Sequence, residues 1–375
     1  MKFNPAWLPL LIGFALGCSS SVTLPVLLGQ VTQRFGLSAS QGGLLGTLEL
    51  SSTALVVLLA SRWPRLGQGR ALMGGVALAI LLANLISTFC QGFWIFVPAR
   101  AVAGIGYGLL LADLGRRVGH SDDPQQLFAL QQIAMVVMAI LFYTSMPSLI
   151  AGLGTPAPFA FVSLSSLLFL LSVFALGAGD KVAVTTPIAA QAPLSRRPLA
   201  ISLSIVLLCS TYGALWAYLP SAALQAGIGV SALSTTLAVG ALANLLGAIA
   251  AERIGLRWGF APVWLMLALA ALARIGVISG EGSLFLVSAV VLPFTMIFVT
   301  PYFFGLLALL DRSGRAAAAG PGFLMIGNAL GPLIGGLVIA CSGLSTLGML
   351  GLLGCVVTFV TVYAVRLPLR ADIQQ

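Results

Sequence analysis

Long apolar runs, broken by short polar or turn-rich stretches, make up most of the chain. Cut at those breaks, the sequence falls into twelve apolar segments, near residues 6–32, 40–61, 70–90, 92–115, 126–150, 158–178, 198–223, 231–251, 260–279, 283–309, 316–340 and 344–365. Each is close to the length a helix needs to cross a hydrocarbon core of about 30 Å. The pattern predicts an all-α membrane protein with twelve transmembrane helices.

The charged positions then orient the segments. With the amino terminus in the cytoplasm, the cytoplasmic side holds Lys2, Arg62, Arg65, Arg70, Arg116, Arg117, Lys181, Arg196, Arg197, Arg253, Arg257, Arg312, Arg315, Arg366 and Arg370. The outer side holds only Arg34, and Arg100 and Arg274 remain inside spans. By the positive-inside rule this asymmetry selects an even number of crossings with both termini cytoplasmic, as in a plasma (inner) membrane protein.

Composition narrows the function classes. With 59% apolar and 7% charged residues, the chain has too little charge to cover a soluble globule, so the bilayer must serve as its solvent. A net charge of +9 would suggest nucleic acid in a soluble protein; here the basic residues sit in short connections beside span ends, and no nucleic-acid partner is expected. Cys18, Cys90, Cys209, Cys341 and Cys355 lie in or beside apolar segments without CxxC spacing and read as small core residues. The first segment is too long for a removable signal peptide and lacks a small-residue cleavage site, so it is expected to stay as the first span.

The longest polar stretch, residues 179–197, carries Pro187 and Pro193 and reads as a cytoplasmic linker. It separates an amino-terminal six-helix half, residues 1–178, from a carboxy-terminal half, residues 198–375. The halves echo each other. Leu24-Pro25 with Gln30 in the first span matches Leu219-Pro220 with Gln225 in the seventh, 195 residues on. A basic loop ending Gly69-Arg70 matches Glu252-Arg253-Ile254-Gly255-Leu256-Arg257, and Met146-Pro147-Ser148 matches Gly331-Pro332-Leu333. Parallel repeats of this kind place a substrate site between the halves, near mid-membrane.

Three motifs give the chain a family resemblance. Arg100-Ala101-Val102-Ala103-Gly104-Ile105-Gly106 resembles the RxxQGxG element of the major facilitator superfamily, with Ala103 in place of glutamine. The Glu252–Arg257 loop is similar to that family's DRxGRR loop, whereas the first-half copy keeps Gly69 and Arg70 without a preceding acid. Gly327, Gly331, Pro332, Gly335 and Gly336 resemble the glycine-proline motif of drug/proton antiporters, displaced from the fifth span to the eleventh. The resemblance covers all twelve spans and implies two pseudo-symmetric six-helix halves that rock around a central site. It also implies a cytoplasmic gate at Arg70, Glu252, Arg253 and Arg257.

Glu49 stands about nine residues into the second span with no other charge within a dozen residues. A charge at the bilayer centre costs about 2.5–3.5 kcal/mol on insertion scales, so it should face protein or water. Arg100 lies at similar depth in the fourth span, and the two side chains can pair. Burial favours the neutral form of a carboxylic acid and an adjacent guanidinium favours the carboxylate, so an acid held between the two can switch. Three roles stay open for the pair: a staple between spans, proton coupling, or direct substrate contact. Asp113 should pair locally with Arg116 and Arg117, Arg274 should snorkel to the headgroups, and His120 should be a solvated loop residue.

By resemblance, spans one, four, seven and ten line the cavity. That makes Ser20, Thr23, Arg100, Tyr107, Tyr212, Trp216, Thr295, Phe298 and Tyr302 substrate-site candidates, with Ser19 beside them and Asn244 and Asn328 on neighbouring spans. Aromatic faces, hydroxyls and one or two charges suit a small amphipathic organic solute. Kinks are expected at Pro25, Pro98, Pro147, Pro220, Pro293, Pro301 and Pro332. Close helix contacts are expected at Gly104/Gly108 and Gly331/Gly335.

No HExxH, Cys/His cluster or GxSxG appears, which argues against a membrane-embedded enzyme and against a metal site. No Walker loop is present, so ATP is not the direct driver. Secondary transport remains, with no cofactor and a proton gradient as driving force, by a chain expected to act as a monomer in the bilayer. Efflux by antiport is the favoured direction; proton-coupled uptake is the alternative, ahead of a uniporter or channel.

Overall fold

A computed structural model describes residues 7–62, 70–119, 124–176, 195–255, 257–311 and 315–373. Its regular elements are all helices: α1 (Leu8–Gly17), α2 (Ser19–Phe35), α3 (Ala39–Arg62), α4 (Arg70–Phe89), α5 (Phe93–Gly119), α6 (Pro124–Leu153) and α7 (Ala157–Leu176), then α8 (Arg196–Ala217), α9 (Leu219–Gln225), α10 (Val230–Ile254), α11 (Ala261–Val277), α12 (Gly282–Leu310), α13 (Arg315–Ser342) and α14 (Ser345–Ile373). Every one of the twelve apolar segments is helical. The described residues hold fourteen helices because the first and seventh segments are each broken in two.

Among the described residues ten helices are long and apolar enough to cross a membrane by themselves, and α1 with α2, bent by 41°, makes an eleventh if counted as one span. The ninth predicted span is α11, a shorter apolar helix of 17 residues. The chain is a multi-pass membrane protein on this count. Large apolar side chains such as Leu55, Leu78, Leu82, Leu246 and Phe174 stand exposed on the helix flanks, where water would oppose them and lipid does not. Trp94 and Trp258, 84% and 75% exposed, sit at helix starts and loops, the level at which amphipathic rings meet headgroups.

Most of the span prolines lie inside continuous helices. Helix α2 runs through Pro25, α5 through Pro98, α6 through Pro147, α12 through Pro293 and Pro301, and α13 through Pro332. In a packed membrane helix, neighbouring groups re-satisfy the backbone that proline leaves open. The first-segment break falls at Cys18, seven residues before Pro25, whereas Pro220 does start a helix, in the first turn of α9.

The helices cluster into two compact units. One comprises Met1–Leu37 with Leu45–Gln191, the other Ser38–Leu44 with Ala192–Gln375. In the first, α4 packs along α5 and α7 while α1 contacts α5, α6 and α7. The core there gathers Leu16, Ile80, Tyr107, Leu110 and Phe169. Arg34, expected as an outer-side charge, caps the end of α4: its guanidinium donates to Ser87 O at 2.7 Å, to Thr88 O at 3.1 Å and to Cys90 O. A cation there answers carbonyls that the helix leaves unpaired.

In the second unit α8 packs along α13 and α14, and α12 along α10 and α11. The displaced glycine motif explains the α8–α13 contact. A Cβ on Gly327 would meet Val206 O at 2.7 Å, one on Gly331 would meet Gly213 C at 2.6 Å, and one on Gly335 would meet Ala214 O at 3.0 Å. The motif is a stripe of small residues that lets two backbones touch. Most of the predicted linker lies outside the described residues; Arg196 and Arg197, assigned to it, are the first turn of α8.

Candidate functional site

The site forms where α3 meets α5. Gly104 and Gly108 lie one turn apart on α5, and the backbone of α3 fills the space a side chain would take. A Cβ on Gly104 would stand 2.5 Å from Glu49 O, and one on Gly108 would stand 2.7 Å from Thr53 O. Thr53 Oγ1 ties the contact by donating to Gly104 O at 3.0 Å. This approach carries Glu49 to Arg100, one turn before Gly104.

The two side chains form a bidentate pair. Arg100 Nε donates to Glu49 Oε2 at 2.9 Å, and Arg100 Nη2 donates to Glu49 Oε1. Ser20 Oγ adds a third donor to the carboxylate, at 2.5 Å from Oε1. Both charges are buried, Glu49 8% and Arg100 2% exposed. The planar fork of arginine matches a carboxylate in a way a lysine cannot.

Asn84 of α4 completes the arrangement. Its Oδ1 accepts from Arg100 Nη1 at 2.9 Å, while its Nδ2 donates to Tyr107 Oη at 2.9 Å and to Ser166 Oγ at 3.1 Å. Ser87 Oγ is a further acceptor for Nη1 at 3.3 Å. Four helices and α2 thus converge on one ion pair. The guanidinium also lies over the Phe159 ring, 5.4 Å from its centroid. A small apolar cleft opens on this group, lined by Leu24, Leu27, Leu28, Val31, Leu45, Phe96 and Phe159, with Glu49 and Arg100 its charged lining. Sequence reasoning paired Glu49 with Arg100 and missed Asn84; an amide in the middle of an apolar span was the signal available.

The other candidates divide by surroundings. Tyr107 shares a face with Arg100, as its spacing predicts, but it is wholly buried in the first-unit core with its hydroxyl engaged by Asn84. The hydroxyls of Thr23 and Thr295 are bonded to their own helices, at Ser19 O and Leu292 O. Phe298 is buried and stacks on Tyr302 with centroids 5.5 Å apart. Tyr302 Oη donates to Gly255 O at 2.8 Å, which anchors a loop turn. Tyr212 and Trp216 remain half-buried, stacked at 5.9 Å on α8. Asn328 on α13 is half-buried too, and its backbone lies against Gly213.

In the basic loop, Gly255 ends α10 with φ of 50°, a backbone that side-chain-bearing residues rarely adopt. Glu252, Arg253 and Arg257 are exposed around it, and Arg70 begins α4 with a side chain outside the described residues. His120 also lies outside them. Asp113 pairs with Arg117 at 2.6 Å and with Arg116 at 3.8 Å, the local pairing expected of it. Arg274 departs from expectation: it is fully buried and does not snorkel. Gly351 of α14 leaves a gap that the Arg274 Cδ occupies, so the side chain lies inward.

No family model matches the chain, and no curated protein matches it by sequence. Solved structures do. The nucleoside transporter NupG superposes with a TM-score of 0.71 at 12% identity, over 97% of this chain and 98% of that one. The POT family transporter PepTSo gives a TM-score of 0.73 at 11% identity, over 98% and 99%. A bacterial homolog of the human lysosomal transporter Spinster gives 0.64 at 14% identity, over 96% and 94%. Likeness over nearly the full length of three transporters, at identities that speak for fold alone, shows that the chain has the major facilitator fold.

Proposed function

We propose that the chain is a secondary active transporter that moves a small amphipathic organic solute by alternating access, coupled to protons and running as efflux. The observation that supports this most is the buried Glu49–Arg100 pair beside an apolar cleft. A carboxylate that leaves its guanidinium takes up a proton, and regaining the pair releases it. Proton binding is then linked to the change of shape by whatever free energy separates the two arrangements.

In this reading Glu49 carries the proton and Arg100 and Asn84 position it. Ser20, Tyr212, Trp216 and Asn328 offer hydroxyl, aromatic and amide groups to the solute. Glu252, Arg253, Arg257 and Arg70 form a cytoplasmic gate. The protein works as a monomer in the plasma membrane with both termini cytoplasmic, as transport and not as catalysis.

A thermal-shift screen of the purified protein against metabolites and drugs identifies a solute; nucleosides belong in the panel because NupG is named for them. Proteoliposome flux with that solute, read beside a pH-sensitive dye, then tests the coupling. Proton-driven movement should vanish in Glu49→Gln while solute counterflow persists. Wild-type accumulation in Glu49→Gln would reduce the pair to a staple. Imposing the gradient in each orientation distinguishes efflux from uptake.

A further inference from the structure

Among the described residues two arginines are buried, Arg100 and Arg274, and their surroundings differ. Arg100 has a carboxylate, an amide and a hydroxyl. Arg274 has none of these. It is 0% exposed and among the largest fully buried side chains. Its Nη1 donates to Ala270 O one turn back at 3.1 Å, and its Nη2 lies 3.7 Å from Met296 Sδ. The Cys355 sulfur is a further contact, and Nε has no partner. Among the described residues every ion pair belongs to Glu49 or Asp113.

Thioether and thiol sulfurs are weak acceptors, and a guanidinium does not shed its proton in a protein. An uncompensated buried charge of this kind is costly. An apolar cleft lies beside Met296. Met296 and Cys209 line that cleft, and Met296 Sδ is the atom facing Nη2. Methionine is the side chain best able to swing aside, and doing so would open the cleft onto the guanidinium.

We propose that Arg274 is the seat of a small-anion site in the second unit, entered past Met296, that accepts a monovalent anion as a counter-charge. The shared chemistry is one negative charge small enough for the space Met296 vacates. It is supplied either by an inorganic halide or by the carboxylate of an organic solute. The site goes beyond the transport reading and is tested without flux, so its failure leaves that reading untouched.

The test is thermal unfolding of the purified full-length protein at constant ionic strength, with gluconate as the bulk anion replaced stepwise by chloride or by acetate. A ligand that binds only the folded state raises the midpoint in a saturable way. Wild type should respond to at least one anion, Arg274→Gln should be flat, and Met296→Ala should respond at several-fold lower anion concentration. A response to acetate alone assigns the site to a solute carboxylate; a response to chloride assigns it to a resident counter-anion. A flat wild type overturns the proposal, as does an Arg274→Gln response equal to wild type. Should Arg274→Gln fail to fold, an unchanged response midpoint in Met296→Ala overturns it.

Discussion

Replacing Glu49 by glutamine keeps the length and shape of the side chain and removes its charge, so it isolates the worth of the ion pair. In the native site the carboxylate accepts from Ser20 Oγ, Arg100 Nε and Arg100 Nη2. An amide offers one oxygen where two acted, and its NH2 must point toward a donor. Arg100 keeps Asn84 and Ser87 on Nη1 but loses both bonds that carried compensating charge. Breaking a buried pair from one side costs about 3–5 kcal/mol, because the remaining charge stays buried. The amide oxygen returns one bond worth about 1 kcal/mol. A net loss of about 2–4 kcal/mol is therefore expected. Arg100→Gln in the same chain removes the stranded charge, so the double variant should be more stable than the two single losses predict, by about 1–3 kcal/mol. Unfolding of the four proteins in mixed micelles closes this cycle. Additivity within about 0.5 kcal/mol would refute the claim that the two charges hold each other.

Three further outcomes are expected. Gly104→Val places a Cβ against Glu49 O, a backbone atom that cannot swing away, so it should destabilise by about 1–3 kcal/mol, the usual cost of overpacking, and weaken the ion pair as well; a melting curve and the double-mutant cycle repeated in this background check both. Tyr302→Phe removes the hydrogen bond to Gly255 O and should cost about 0.5–1.5 kcal/mol by unfolding, while solute binding, measured by the same thermal shift as wild type, stays unchanged. In intact cells, after the native cysteines are replaced, a cysteine at Gln225 should label with an impermeant reagent and one at Gln191 should not; the opposite pattern would invert the topology.

The apolar pattern by itself located the helical segments but not the breaks within the first and seventh, because a helix in hydrocarbon must be long and apolar whatever it packs against. Charge alone yielded an orientation and singled out Glu49 and Arg100, since a membrane-embedded charge is too costly to be incidental. Spacing placed Tyr107 and Arg100 on one face. Tertiary structure decided what those groups touch. It brought in Asn84, whose amide looked like any other polar residue in an apolar run until three helices met at it. It turned Arg274 inward, because Gly351 on a helix 77 residues away left the room that a headgroup-seeking side chain otherwise finds outside. It gave the glycine-proline motif of α13 a packing role against α8, and it broke the first segment at Cys18. Periodicity is a property of one helix and can be read along the chain. The partner of a buried polar group is a property of several helices at once, and only their packing names it.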